Sequence, residues 1–227
     1  MRICVLAAAL AAAACAQAQT TEGVLFVSAN TDIYRAHQYN DGSDGVAPFA
    51  WAFTAGPGLV LEFRAIIGSW TCADFLNGNP PYGPDGERFH FANGNCYPRA
   101  NISNPIGPFS GYATTDFTGA LVGLFTEDSL PGTAPPPLRF YISDSSQGGI
   151  PNNFAELSPQ IGQVFFVGDG LTGTGSGAHQ LFQVPATATR LYLGYVDSCG
   201  GSGFTSPSCF KDNGGAVTAF FGIFAQP

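Results

Sequence analysis

Asp197, Asp212 and Asn213 are the residues of this sequence best suited, by type and spacing, to do chemistry. Asp197 closes the apolar run RLYLGYV, and Asp212-Asn213 stand just before the next one, AVTAFFGIF. Two carboxylates and a carboxamide delivered to adjacent strand ends are hard oxygen ligands, the kind a calcium ion takes. Asp-Asn-Gly-Gly is also a good turn sequence, and Asp197 could simply cap a strand exit, so these residues alone leave both readings open. The loop between them carries Cys199 and Cys209.

A second cluster is GPDGERFHFANGN, residues 83–95, where a Pro-Asp-Gly turn leads into Arg88, His90 and Asn93 with aromatics between them. A histidine and a carboxamide beside Phe or Tyr can hydrogen-bond sugar hydroxyls against an apolar face. The plainer alternative is a surface loop with one exposed histidine. A third cluster, NGNPPYG with Trp70 and Tyr82, offers aromatics that could stack on a pyranose ring or cover the core. The spaced glycines of Gly168-Asp169-Gly170-Leu171-Thr172-Gly173 follow a strand but are followed by TGSGAHQ, which is no helix, so they read as a hairpin turn and not a dinucleotide cradle. The sequence holds no nucleophile elbow, zincin or Walker motif. His37, His90 and His179 are too dispersed for a zinc site. Glu62, Glu87, Asp85 and Asp197 could serve a glycosidase, yet no pair of them forms a recognisable catalytic constellation.

These residues need elements to position them, and the elements read as strands. Short β-branched or aromatic runs alternate with Gly/Pro/Asn/Asp clusters at 23–29, 47–54, 58–67, 120–126, 137–143, 162–168, 179–185, 189–196 and 216–224. Thirty Gly and seventeen Pro punctuate the chain, while twenty Phe and eight Tyr can fill a core. The fold class expected is all-β, an antiparallel β-sandwich of jelly-roll type. Long connections fall at 74–118, 127–136 and 144–161, and loops of this length in a compact β domain usually carry function.

Residues 1–18, MRICVLAAALAAAACAQA, read as a secretory signal peptide: one Arg, an apolar stretch, then a small-x-small cleavage pattern. A lipobox ending at Cys15 is the second choice. Residues 19–227 then form one domain, sixteen acidic side chains facing seven basic ones, a formal charge of −9. Without a basic patch, nucleic acid and anionic membranes are poor partners. Cys72, Cys96, Cys199 and Cys209 remain, an even number suited to an oxidising compartment. Three pairings are open. The local ones, Cys72–Cys96 and Cys199–Cys209, are the simplest, and closing the second loop would contribute about 2–3 kcal/mol.

The clusters together resemble the LecA-type galactophilic lectins, bacterial β-sandwich proteins that bind galactose through calcium. GPDGERFH is similar to that family's Gly-Pro-Gln-Gly-Asp-Arg-Glu-His, and FTGALV to its Phe-Cys-Gly-Ala-Leu-Val strand. LYLGYVD followed by DNGGAVTAFF resembles its apolar strand ending in Asp, then its Asn-Asn-Ser-Gly turn and final strand. GLTGTGSGAHQLFQVP follows its turn leading into a Phe-x-x-x-Pro strand. The resemblance covers about 58–124 and 162–224, and 127–161 stands out as an insertion.

The resemblance implies a Ca2+ ion held by Asp197, Asp212 and Asn213. It also implies one backbone carbonyl from the stretch from Trp70 to Ala73, around Cys72, and another near Cys209. It implies that His90 and Asn93 contact a sugar's primary hydroxyl while Asp197 and Asn213 share ring hydroxyls with the ion. Three departures stand out: Asp212 replaces an Asn, Phe89 replaces a Glu, and the loop from Asp197 to Asp212 is about twice the family's length. The function expected is a secreted, calcium-dependent lectin for a galactose-type glycan, oligomeric or not, and not an enzyme. The alternative is a structural or adhesive sandwich whose calcium only stabilises it.

Overall fold

The computed structural model describes residues 21–71, 81–88, 102–115, 117–198 and 206–226. The signal-peptide reading, Cys72, Cys96 and Cys199, and His90 and Asn93 lie outside these described residues. The fold is all-β and sandwich-like. One sheet holds five strands in the order β1 (Thr21–Ser28), β16 (Gly214–Ala225), β3 (Leu59–Thr71), β14 (Leu181–Gln183) and β10 (Glu156–Leu157). The other holds β11 (Val164–Phe166), β7 (Val122–Thr126), β15 (Arg190–Gly194) and β2 (Ala50–Ala52). Pairing within them is antiparallel except where β10 joins β14.

The two sheets meet through the phenylalanines that the composition supplies. Phe63 on β3 and Phe182 on β14 pack edge-on at 5.7 Å, and Phe182 meets Phe165 of β11 at 5.3 Å across the sandwich. Phe165 in turn stacks on Phe125 of β7 at 5.2 Å. At the other side Trp51 of β2 meets Phe221 of β16 at 5.6 Å, edge to face. Each such ring buries on the order of 150–250 Å², so this seam dominates the stability of the sandwich.

Strand alternation decides which side chains reach that seam. On β1, Leu25 and Val27 turn inward while Val24 and Phe26 stay 52% and 64% exposed. Their neighbours Phe220 and Ile67 are exposed too, so the outer face of this sheet carries apolar side chains. A one-residue bulge on β3 around Arg64 shifts the register against β16 between Phe220 and Phe221.

Smaller ribbons complete the fold. β4 (Glu87–Arg88) pairs with β6 (Phe117–Thr118), and β12 (Leu171–Gly173) with β13 (Ser176–His179). β5 (Tyr112–Thr114), β8 (Leu138–Tyr141) and β9 (Ile150–Pro151) form a parallel trio, a departure from the all-antiparallel expectation. The stretch 127–161 is therefore woven in twice: β8 and β9 extend β5, and β10 closes the edge of the five-stranded sheet. Phe140 and Phe154 from this stretch sit in the core, packing on Phe166 at 5.8 and 6.3 Å.

Candidate functional site

The apolar run of β15 continues past Gly194 because Tyr195 is held from both sides. Its N–H donates to Thr31 O at 2.8 Å, and its carbonyl accepts from Ile33 N at 3.2 Å. This clamp fixes where Asp197 emerges. On the other chain segment, Cys209 adopts the left-handed conformation at φ 68° and opens a 3-10 turn, Phe210–Asp212, after which Asn213 leads into β16. Ser208 N donates to Asp197 O at 3.1 Å and Asn213 N to Phe210 O at 3.3 Å, so the base of the loop is closed by backbone bonds.

Gly215 makes the entry into β16 feasible. Its φ is 92°, and a Cβ there would lie 2.4 Å from Ser69 O, inside any tolerable contact with β3. Glycine avoids both the left-handed penalty and the clash.

The result brings Asp197 and Asn213 together. Asn213 Nδ2 donates to Asp197 Oδ2 at 2.7 Å and to Ala29 O at 3.3 Å, while Asp197 Oδ1 accepts from Ser198 N at 2.7 Å. Asn213 Oδ1 is buried with no hydrogen-bond partner. Burial pushes the Asp197 carboxyl up to about 7, and the nearby charges of Asp212 and Asp44 add to the rise, against the opposing bonds from Asn213 and Ser198. A half-buried carboxylate with two acidic neighbours and a buried, orphaned carbonyl oxygen beside it fits a cation.

Asp44 belongs to a part of the site that the sequence reading missed. Its Oδ1 accepts Phe210 N at 2.9 Å, so it caps the turn that carries Asp212 and Asn213. It lies in NDGSDG, which reads as an ordinary turn, with only its density of acidic residues as a signal. Beneath it, fully buried Asp32 accepts from Tyr34 N at 2.9 Å and from Ser43 Oγ at 2.5 Å. Burial holds the Asp32 carboxyl far above the usual carboxylate range, and its neighbour Asp41 drives it the same way. Asn30 Oδ1 is buried and unpartnered as well. Gly45 permits the packing, since a Cβ there would fall 2.5 Å from Asp32 Cβ and 2.9 Å from Phe210 Cγ.

The remaining expectations divide. Among the described residues no group of three or more His, Cys, Asp or Glu side chains is arranged to hold a metal, so any ion at Asp197 would draw on carboxamide and carbonyl oxygens as well. Cys209 stands at the turn entrance, but Cys72, proposed for the second carbonyl, lies outside the described residues. Just before it, the Trp70 carbonyl is engaged by Tyr82 N at 2.7 Å. Trp70 and Tyr82 are 2% and 6% exposed and pack on each other at 5.7 Å, so of their two readings the core one holds and the sugar-stacking one falls.

The start of the second cluster is a turn, with Gly86 N donating to Gly83 O at 3.1 Å and Leu121 N to Pro84 O at 2.8 Å. His90 and Asn93, the sugar ligands expected from it, lie outside the described residues. Asp85 is buried and accepts Asp169 N at 2.8 Å, pinning the GDGLTG stretch. That stretch belongs to a hairpin but is not its turn: residues 168–170 turn into β12, and Leu171–Gly173 are β12 itself. The hairpin turns at Thr174 and Gly175, before β13, where Asp169 accepts Gly175 N at 2.6 Å as well as Leu171 N at 2.9 Å.

No family model matches the chain, and no curated protein or solved structure matches it either.

Proposed function

We propose that this chain is a secreted, calcium-dependent carbohydrate-binding protein with no catalysis of its own, taking a galactose-type glycan through hydroxyls that complete the ion's coordination. The observation that carries this reading is the meeting of Asp197 and Asn213 from two strand ends, 2.7 Å apart, with Asn213 Oδ1 buried and unpartnered. Leaving such an oxygen unsatisfied costs about 1–3 kcal/mol, which a bound cation would offset. Turning the Asn213 carboxamide about its last torsion presents oxygen in place of nitrogen to the same point. The sequence resemblance supplies the rest: Asp212 as a further ligand, carbonyls near Cys72 and Cys209, and His90 with Asn93 toward the sugar. Calcium accepts six to eight oxygens, so such a set leaves positions for two vicinal hydroxyls. Export rests on residues 1–18.

The test has two arms. Calorimetric titration of calcium into chelator-stripped protein is expected to give saturable binding that Asp197→Ala abolishes, and full affinity in that variant overturns the metal site. A glycan panel read with calcium and again with chelator is expected to give chelator-sensitive binding that His90→Ala weakens. A second reading draws support from the apolar outer face at Val24, Phe26, Ile67 and Phe220. Such a face suits surface attachment, with calcium as a stabiliser only. Chelator-sensitive melting with no glycan bound decides for it.

A further inference from the structure

A cavity of about 210 Å³ opens between the β12–β13 hairpin and the end of the 127–161 stretch. Leu171, Thr172 and Thr174 line one wall, Ile142, Asn152 and Asn153 the other, and Asp85 lies at its base. None of the residues of the candidate ion site borders it.

The walls are fixed by backbone bonds together with bonds to the Thr172 hydroxyl and to the Asp85 carboxyl, which the Thr174 hydroxyl also meets. Asn152 N donates to Tyr141 O at 2.8 Å, and Asn152 O accepts from Gln180 Nε2 at 2.8 Å, with Gln180 itself fully buried. On the facing wall Thr172 Oγ1 accepts Ala178 N at 3.1 Å, which leaves its proton to donate outward. Asp85 Oδ1 is tied to Asp169 N at 2.8 Å. The cleft is thus held in shape by these bonds while carboxyl, carboxamide and hydroxyl groups border the space.

The lining chemistry selects a ligand class. No Lys, Arg or His lines the cavity, so an anion finds no counter-charge. No aromatic lines it, which disfavours a flat base. The Asn152 and Asn153 carboxamides and the Thr172 hydroxyl offer donors and acceptors together, the requirement of a neutral polyol, and Ile142 and Leu171 give its C–H face somewhere to rest. At 210 Å³ the space is below the roughly 300 Å³ at which pockets for drug-sized ligands begin, so it suits one sugar ring and not a chain of them.

We propose that this cleft is a second carbohydrate subsite, independent of any metal, that takes a single neutral monosaccharide unit between the β12–β13 hairpin and Asn152-Asn153. It stands apart from the ion-site reading, since one wall, Ile142, Asn152 and Asn153, comes from the stretch that the lectin resemblance does not cover.

The experiment is saturation-transfer NMR on the whole protein in chelator, with D-galactose, D-glucose, D-mannose and acyclic D-sorbitol as probes. At least one ring sugar is expected to give a saturable signal in chelator, at least tenfold weaker in Asn152→Ala/Asn153→Ala. Because Asn153 is exposed, Asn153→Ala alone keeps the fold and is expected to weaken the same signal to a lesser degree. The proposal is overturned if no sugar binds in chelator, or if binding persists unchanged in both variants. Failure of the calcium reading is visible separately, as no additional signal when calcium is restored.

Discussion

At the scale of single residues, the site turns on one carboxamide. Asn213 donates to Asp197 and Ala29 while its own oxygen is stranded. Asn213→Ala is expected to lower calcium affinity at least tenfold, about 1.4 kcal/mol, by calorimetry, while the change in melting temperature of the chelated protein stays small. Asp44 acts through the turn. Asp44→Ala removes the cap on Phe210 N and is expected to cost about 1 kcal/mol in denaturant unfolding, with or without calcium. Of the candidate site, the meeting of Asp197 and Asn213 was legible because polar residues flanking two apolar runs announce themselves. Asp44 and Asp32 were not, because their proximity comes from Thr31 and Asp32 pairing beside Tyr195, a contact across more than half the chain that no local pattern encodes.

At the scale of elements, glycines and register explain what the sequence could and could not tell. Gly215→Ala is expected to lose about 2 kcal/mol or more, from the positive φ together with the clash on Ser69 O. Gly42 is the control: its φ is 85° but open space surrounds it, so Gly42→Ala should cost only about 1 kcal/mol in the same unfolding assay. The nine apolar runs expected as strands all contain strands, since period-2 alternation over several residues is a strong signal. Their limits moved where pairing overrides composition. β3 runs on through Gly68-Ser69-Trp70-Thr71 because β16 lies beside it, residue for residue. β2 shrinks to Ala50–Ala52. The two-residue partners β4, β6, β9 and β10 carry no periodicity at all, and the hairpin β12–β13 is mostly glycine and polar residues, so its strand character comes from the turn that Asp169 holds.

At the scale of the molecule, three carboxyls share one behaviour, two of them buried and Asp197 half-buried. Asp32, Asp85 and Asp197 are all raised from an ordinary value of 3.8, chiefly by burial. The native state therefore holds more protons than the unfolded chain above that value, and stability is present at about pH 4 and lost as pH rises through the raised values. The chelated protein is expected to melt several degrees lower at pH 8 than at pH 5, and Asp32→Asn to flatten that slope; a melting temperature that climbs from pH 5 to pH 8 contradicts it. The apolar outer face makes a further prediction: Phe26→Ser and Ile67→Ser are expected to leave melting within about 0.5 kcal/mol while reducing self-association in sedimentation. Finally, β1 and β16 pair over the whole of Thr21–Ser28, although nearly the full chain separates them. A strand made after all the others of its sheet thus occupies an interior position in that sheet, between the first strand and β3. The nascent chain cannot close its largest sheet, nor present Asn213 to Asp197, until β16 has been made. Folding of this topology is consequently slow, and the candidate ion site waits on its most distant strand pairing.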